Sequence, residues 1–265
     1  MKVVLDIRKT VEQNAQEYFE KAKKAKRKIE GAKKASEHWQ HEKEKLLVQQ
    51  QKEQAKEEEK KQRPVVEKKW YHKFRWFKTS DGFLVIGGRD ATTNELVIKK
   101  HTDENDFVFH TDMAGSPFFV IKSDGRTISE IAIRETADAT CTFSRAFKLG
   151  MARQAVFYVK PSQVTKEAKS GEYLTKGAFV IRGKTTYVDN KINLTLGITA
   201  ENELMAAPLE AVKAHCKTFL VIVQGKEKIS SVAKKIAKLL DYPDLDGIIR
   251  VLPAGEFQIG HQTKQ

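Results

Sequence analysis

KKWYHKFRWFKTSDGFLVIGGRDATTNELVIKK, residues 68–100, holds the densest mixture of aromatic, basic and glycine residues in the chain. Trp70, Tyr71, Phe74, Trp76 and Phe77 interleave with Lys68, Lys69, Lys73, Arg75 and Lys78. Apolar residues at 70, 74 and 77 recur at spacings of three and four. That predicts a short amphipathic helix anchored by Trp70, Phe74 and Phe77, with Trp76 and the cations facing out. The same composition suits a surface whose rings stack on bases while its cations meet phosphates. Residues 83–86 are an apolar run between Asp81-Gly82 and Gly87-Gly88, which predicts a strand. Arg89, Asp90, Thr92, Thr93 and Asn94 then make a polar loop before a second predicted strand, 96–98, and the pair reads as a β-hairpin. The adjacent glycines allow backbone to approach a partner closely.

The rest of the chain fits around that unit. Upstream, Ala15, Tyr18, Ala22, Ala25, Ile29, Ala32, Ser36, Trp39, Lys43 and Leu46 trace a heptad seam, half of a coiled coil that needs a partner helix. Residues 49–61 lose the seam, and Pro64 ends the helix. Downstream, strands are expected at 107–109, 118–121, 155–159 and 179–188, the last broken at Gly183, with a crossing loop at 161–171. A helix over 128–149 begins at Ser129, buries Ile133, Ala137, Cys141 and Phe147, and stops at Gly150. Residues 192–198 alternate Ile and Leu with Asn and Thr, so one face is expected buried and the other wet. After a helix at 209–217, a strand (219–223), a helix (229–240) and a strand (248–252) have the size of a small βαβ unit carrying Lys226, Lys228, Lys234, Lys235 and Lys238. The fold class is α+β: a long coiled-coil arm over 1–63, a mixed α/β domain over 64–200, and a strand-helix-strand extension over 201–265 packed on it.

Of the 265 residues, 48 are Lys or Arg and 35 Asp or Glu, a net charge of +13. The excess is +6 over residues 1–63 and +7 over the remainder, so both parts are basic. Such a chain favours an acidic partner, nucleic acid or an anionic membrane face. No apolar run is long enough to span a bilayer, and MKVVLDIRKT lacks the apolar core of a signal peptide, so a cytoplasmic protein is expected. Cys141 and Cys216 lie far apart in helix-like contexts, the pattern of reduced buried thiols.

Several of these segments carry a resemblance. WYHKFRWF (70–77) and DGFLVIGGRDATTNE (81–95) closely resemble the opening of the NFACT-R domain, the RNA-binding module of the NFACT family. The likeness continues through HTDMAGS (110–116), ETADATCTFSRAF (135–147), QVTKEAKSGEYL (163–174) and KGAFVIRGK (176–184). The HTDMAGS segment reads close to HADLHGA in many members, so Ala114 stands where a histidine is common. NAQEYFEKAKKAKRKIEGAKKA (14–35) resembles the returning helix of a long antiparallel coiled coil whose first helix lies upstream. EAVKAHCKTFLVIVQG (210–225) and IIRVLPAGEF (248–257) resemble archaeal members more weakly.

The resemblance implies a non-enzymatic RNA-binding component of ribosome-associated quality control, needing no cofactor. Such a protein docks on large-subunit rRNA and contacts tRNA on stalled nascent-chain complexes. It further implies that the N-terminal NFACT domain is either supplied by a separately encoded chain pairing with the coiled coil or missing from a reduced form. Lys69, Lys73, Arg75, Arg89, Arg145, Lys166 and Lys169 are the candidate phosphate contacts, and Trp76 and Tyr173 the candidate stacking rings. Asp90, His110 and Asp112 complete the candidate surface. Two plainer readings stand beside it: the loop from Lys166 to Tyr173 is either a phosphate clamp or a charged turn with Tyr173 tucked under it, and Arg134 and Arg145 either face RNA or close internal ion pairs.

Catalysis has less in its favour. His110-x-Asp112 on a strand places both side chains on one face, and with Asp90 they would make a divalent-metal site of a nucleic-acid enzyme. No third histidine lies nearby, and a histidine hydrogen-bonded within a turn accounts for the same residues. Ser144 and Ser170 sit in no nucleophile elbow, and Gly87-Gly88-Arg89 lacks a following Walker-type lysine. A coiled-coil interaction scaffold is the remaining alternative.

Overall fold

The computed structural model describes residues 3–61, 69–167 and 174–264, with backbone alone for 52–61 and 261–264. The chain divides into two compact units, Met1–Val65 and Val66–Gln265.

The first unit is built on one helix, α1 (Val11–Lys61), rich in Ala, Glu, Lys and Gln, which favour helix strongly. Its start is fixed reciprocally: Gln13 N–H donates to Thr10 Oγ1 (3.2 Å) and Thr10 N–H donates to Gln13 Oε1 (3.0 Å). Asn14 is buried and clamps the preceding segment, donating to the Asp6 and Thr10 carbonyls and accepting from Asp6 N–H at 2.9 Å. Tyr18 OH donates to Val4 O at 2.6 Å. Residues 4–10 are therefore folded back along the first turns of α1. The expected seam is exposed at Tyr18, Ile29, Trp39 (69%) and Leu46, as half of a coiled coil requires.

The second unit begins with a 3-10 turn, Trp70–Lys73, followed by strand β1 (Arg75–Lys78), where the spacing predicted a helix. Phe74 and Phe77 are fully buried as expected, but Trp70 is 47% exposed and Trp76, expected outside, is 8% exposed. Trp76 and Phe77 are neighbours on a strand and point to opposite faces, and both are buried because this strand is covered on both sides. Strand β2 (Leu84–Gly87) pairs antiparallel with β1. The predicted strand at 96–98 is instead part of helix α2 (Ala91–Lys100). Asp90 caps it, accepting from Thr93 N–H at 2.8 Å while Thr93 Oγ1 accepts from Asp90 N–H at 2.9 Å. This reciprocal cap outweighs the β-branched content of the segment.

Strands β3 (Phe107–Thr111) and β4 (Phe119–Ile121) follow, and then helix α3 (Glu130–Thr142), capped by Ser129 as expected. The single predicted helix is two. Ser144 Oγ accepts from Ala146 N–H at 3.0 Å and starts a new turn, α4 (Arg145–Lys148), which leads to Gly150 at φ +71°. Strand β5 (Val156–Val159), the small ribbon of β6 (Val164–Thr165) with β7 (Val180–Ile181), and β8 (Thr186–Val188) complete this region. Gly183, at φ +84°, separates β7 from β8. The main sheet runs β1-β2-β4-β3-β5-β8, antiparallel throughout, with α3 packed on β3 and β4.

A second antiparallel sheet is made of β9 (Leu194–Thr199), β10 (Leu204–Ala207), β11 (Cys216–Glu227) and β12 (Phe257–Lys264), in the order β10-β9-β11-β12. β9 has no wet face over its first half: Thr195 is as buried as Leu194 and Leu196, because the strand is central and helix α5 (Leu209–His215) packs on it. The expected βαβ unit is absent. After α6 (Ile229–Leu239), residues 248–251 belong to α7 (Leu245–Val251), capped by Asp244 accepting from Gly247 N–H at 3.0 Å. The strand that follows pairs antiparallel with β11. Phe74, Phe77, Phe109, Phe119, Phe147, Phe219 and Phe257 are fully buried, each contributing about 1.5–3 kcal/mol by leaving water.

Candidate nucleic-acid interface

The glycine pair that ends β2 serves the fold itself. A Cβ on Gly87 would lie 2.5 Å from the Phe119 ring, and one on Gly88 would lie 1.8 Å from Asn94 Oδ1, which accepts from Phe118 N–H at 3.2 Å. This tight packing delivers the next residue, Arg89, between two cavities. Its Nη2 donates to the carbonyls of Phe74 (2.7 Å) and His72 (3.3 Å), while its buried Nε has no hydrogen bond. Burial, and then the nearby Arg250, lower its pKa.

The first cavity, of about 530 Å³, is lined by the start of α2, the turn at 114–118, α4 and residues 175–179. Arg75, Arg89, Arg145, Lys148 and Lys176 bring five cations to it, and Asp90 is the one acid among its lining residues. Asp90 is already engaged: Thr93 N–H, chief among its partners, holds its carboxyl below the usual range. Arg75 lies 4.4 Å over the Phe143 ring and donates to the carbonyls of Val251 and Leu252 at 3.3 and 3.4 Å. Burial and then Arg89 push its pKa down to about 10, which still leaves it charged at neutral pH. Arg75 and Arg89 thus form a positive floor held by backbone carbonyls. Arg145, Lys148 and Lys176 are exposed and make no ion pair with the described residues. An anion with several oxygens is the ligand this electrostatic arrangement favours.

The remaining candidates divide clearly. His110 lines this cavity, stacked 4.2 Å from the Phe118 ring, with Nδ1 at 2.7 Å from Thr111 O and Nε2 at 3.1 Å from Ser116 O. Burial lowers its pKa in spite of those carbonyls. Asp112 lines neither this cavity nor the next; its carboxylate accepts from Tyr187 OH at 3.2 Å. Among the described residues no three His, Cys, Asp or Glu side chains gather as a metal site. Lys69, Lys73 and Trp76 line the second cavity with Arg89. Trp76 stacks on His72 at 5.3 Å. Arg134 is exposed, 3.8 Å from Glu130 one helical turn away.

Lys166 is ion-paired with Glu95 on α2, which also accepts from Gly177 N–H at 3.1 Å; these two donors pull the Glu95 pKa to about 2. Gly177 sits at φ +81°, and a Cβ there would lie 2.5 Å from Ala91 Cα. Glycine is therefore what lets Lys176 come beside the start of α2. Lys169 and Tyr173 lie outside the described residues. Lys148, Lys176 and Arg250 were missed as candidates. The one local signal for the first two is a lysine one or two residues before a glycine with positive φ, Gly150 and Gly177.

Comparison with known proteins identifies the family of this region. The family described as NFACT protein RNA binding domain matches residues 73–183, which include most of the first cavity. The chain is 43% identical over 200 residues to the archaeal Rqc2 homolog aRqcH of Methanocaldococcus jannaschii, covering 73% of this chain and 30% of that one. It is 37% identical over 120 residues to the human ribosome quality control complex subunit NEMF, covering 45% of this chain and 11% of the relative. The match thus spans less than a third of either curated relative. No helix among the described residues is long and apolar enough to cross a membrane. With an NFACT RNA-binding domain at its centre, the chain belongs to the NFACT family.

Proposed function

We propose that this chain is an RNA-binding component of ribosome quality control that docks on the large ribosomal subunit in the cytoplasm and contacts tRNA on stalled nascent-chain complexes. The observation that carries the reading is the first cavity, where five cations face one carboxylate that is already occupied as a helix cap. Phosphate oxygens from rRNA or tRNA would meet Arg145, Lys148 and Lys176 at the rim, with Arg75 and Arg89 beneath. Lys69 and Lys73 extend the positive surface, and Lys169 and Tyr173 add a cation and a ring next to it in sequence. Lys166 contributes by holding Glu95 and the neighbouring backbone more than by meeting phosphate. The relatives' names support the setting, since they refer to Rqc2 and to the ribosome quality control complex. The exposed seam of α1 supports a second, compatible role in pairing with a helix of another chain.

Sedimentation through a sucrose cushion tests the proposal. The chain should pellet with large subunits carrying peptidyl-tRNA, and a variant combining Arg145→Ala, Lys148→Ala and Lys176→Ala should pellet much less. Failure of the wild type to pellet above a control protein of equal charge would refute it.

A further inference from the structure

The second cavity, of about 510 Å³, is enclosed by the 3-10 turn at 70–73, the β9–β10 turn and residues 242–251, and it shares Arg89 with the first. The first cavity carries the rings of His110, Phe118, Phe143 and Phe179, and the second those of Trp70, His72, Trp76 and Tyr242, two of them indoles. A buried carboxylate, Glu203, also lines the second, with Lys69 Nζ at 2.8 Å and His72 Nε2 at 3.3 Å, both measured to Oε1. Lys73 and Arg250 are exposed here and make no ion pair with the described residues. Arg89 Nε is buried without a hydrogen bond, so one donor of the residue shared by the two cavities is unused.

Simple ligands leave part of this lining idle. A bare phosphate would use Lys73, Arg89 and Arg250 but none of the rings, and it would meet Glu203. An apolar ligand would strand the carboxylate and the cations. A nucleotide engages all three groups: its phosphate meets the cations, its base lies against the rings, and its base-edge donors meet Glu203. The volume falls in the range of roughly 300–1,000 Å³ usual for sites of this ligand size. A base must leave its stack to enter, which points to a single-stranded or looped segment. Guanine presents two adjacent donors, N1–H and the 2-amino group, to one carboxylate; uracil presents one N–H between two carbonyls.

We infer that this cavity is a nucleotide subsite that takes one unstacked base, guanine in preference to uracil, from the RNA strand whose phosphates cross Arg89. The inference rests on the RNA-binding reading above and adds to it the position and identity of a base that is read.

The test uses intrinsic fluorescence. The chain has three tryptophans, Trp39, Trp70 and Trp76, and Trp39→Phe leaves the two that line the cavity. Titration of this full-length variant with GMP should give a saturable change. UMP should bind at least about fivefold more weakly, and adding Arg250→Ala should weaken GMP by about tenfold, the usual scale of one charge-assisted contact. Trp70→Ala should abolish most of the binding. Both altered side chains are exposed and outside the core, and far-UV circular dichroism checks that each variant is folded. No saturable response, equal binding of GMP and UMP, or GMP binding unchanged by Trp70→Ala would each overturn the subsite. A parallel titration with tRNA separates the two ideas. Retained tRNA binding without a nucleotide response removes the subsite alone, and a nucleotide response without tRNA binding overturns both the RNA reading and the RNA strand as the source of the base, leaving a site for a free nucleotide.

Discussion

Arg89 and Arg145 reach the same cavity and are held in opposite ways, so they should fail differently when removed. Arg89 stitches the carbonyls of His72 and Phe74 together, and Arg89→Ala would strand two backbone acceptors. Urea unfolding should show a loss of about 1–3 kcal/mol for Arg89→Ala. Arg145→Ala, at an exposed position, should stay within about 0.5 kcal/mol of wild type and yet bind tRNA several-fold more weakly. His110 gives a pH signature. Its folded pKa is depressed below 6.5 by burial, so its contribution to stability is full above pH 6.5 and is lost as pH falls through the lower folded value. Stability measured between pH 7.5 and 5 should fall less steeply in His110→Gln; an identical pH profile would exclude His110 as a contributor. At this scale the sequence was legible in part. Arg75, Arg89, Arg145 and His110 are candidates drawn from separate segments, and the structure gathers all four at one cavity, a proximity that sequence spacing does not reveal. The orientation of Trp76 was not legible, because helical spacing at 70, 74 and 77 puts it outside, whereas the strand that forms is covered on both faces.

At the level of elements, the candidate site depends on caps and close approaches more than on apolar patterning. Asp90→Ala would remove the carboxylate that accepts from Thr93 N–H at the start of α2. The expected cost is about 0.5–2 kcal/mol, read by denaturant unfolding, with faster amide exchange in residues 91–95. Gly177→Ala would force a Cβ against Ala91 in a backbone region that suits glycine. It should cost about 1–3 kcal/mol and, by pushing Lys176 away, weaken tRNA binding even though no cation is removed. Unchanged affinity would show that Lys176 is not placed by this contact. Three of the elements misread in the sequence share one cause, a side-chain cap. Residues 96–98 and 248–251 are short apolar runs rich in β-branched side chains, and each is helical because an aspartate just before it caps the backbone. Ser144 likewise splits one long helical pattern in two. Longer signals survived: α1, the Ser129 cap, and the strands at 84–87, 107–111 and 156–159 follow the pattern of their residues.

Across the whole chain, charge is the property most readable from sequence, and it is distributed over both compact units. Its focusing was not readable. Lys148 and Lys176 are 28 positions apart in the chain, and only the antiparallel sheet and the turn at Gly177 bring them to one cavity with Arg75, Arg89 and Arg145. Composition also left nucleic acid and membrane surface open as partners, and the family match, with two cavities that each combine rings and cations and share Arg89, favours RNA. The most direct test is filter binding of tRNA and of a large-subunit rRNA fragment across a salt series, comparing wild type with the Arg145→Ala, Lys148→Ala, Lys176→Ala variant. If the cavity reads phosphates, the wild type binds with a steep dependence on salt, and the variant binds more weakly with a slope smaller by about 2, as expected for three lost phosphate contacts. Equal affinity and equal slope for the two proteins would contradict the account.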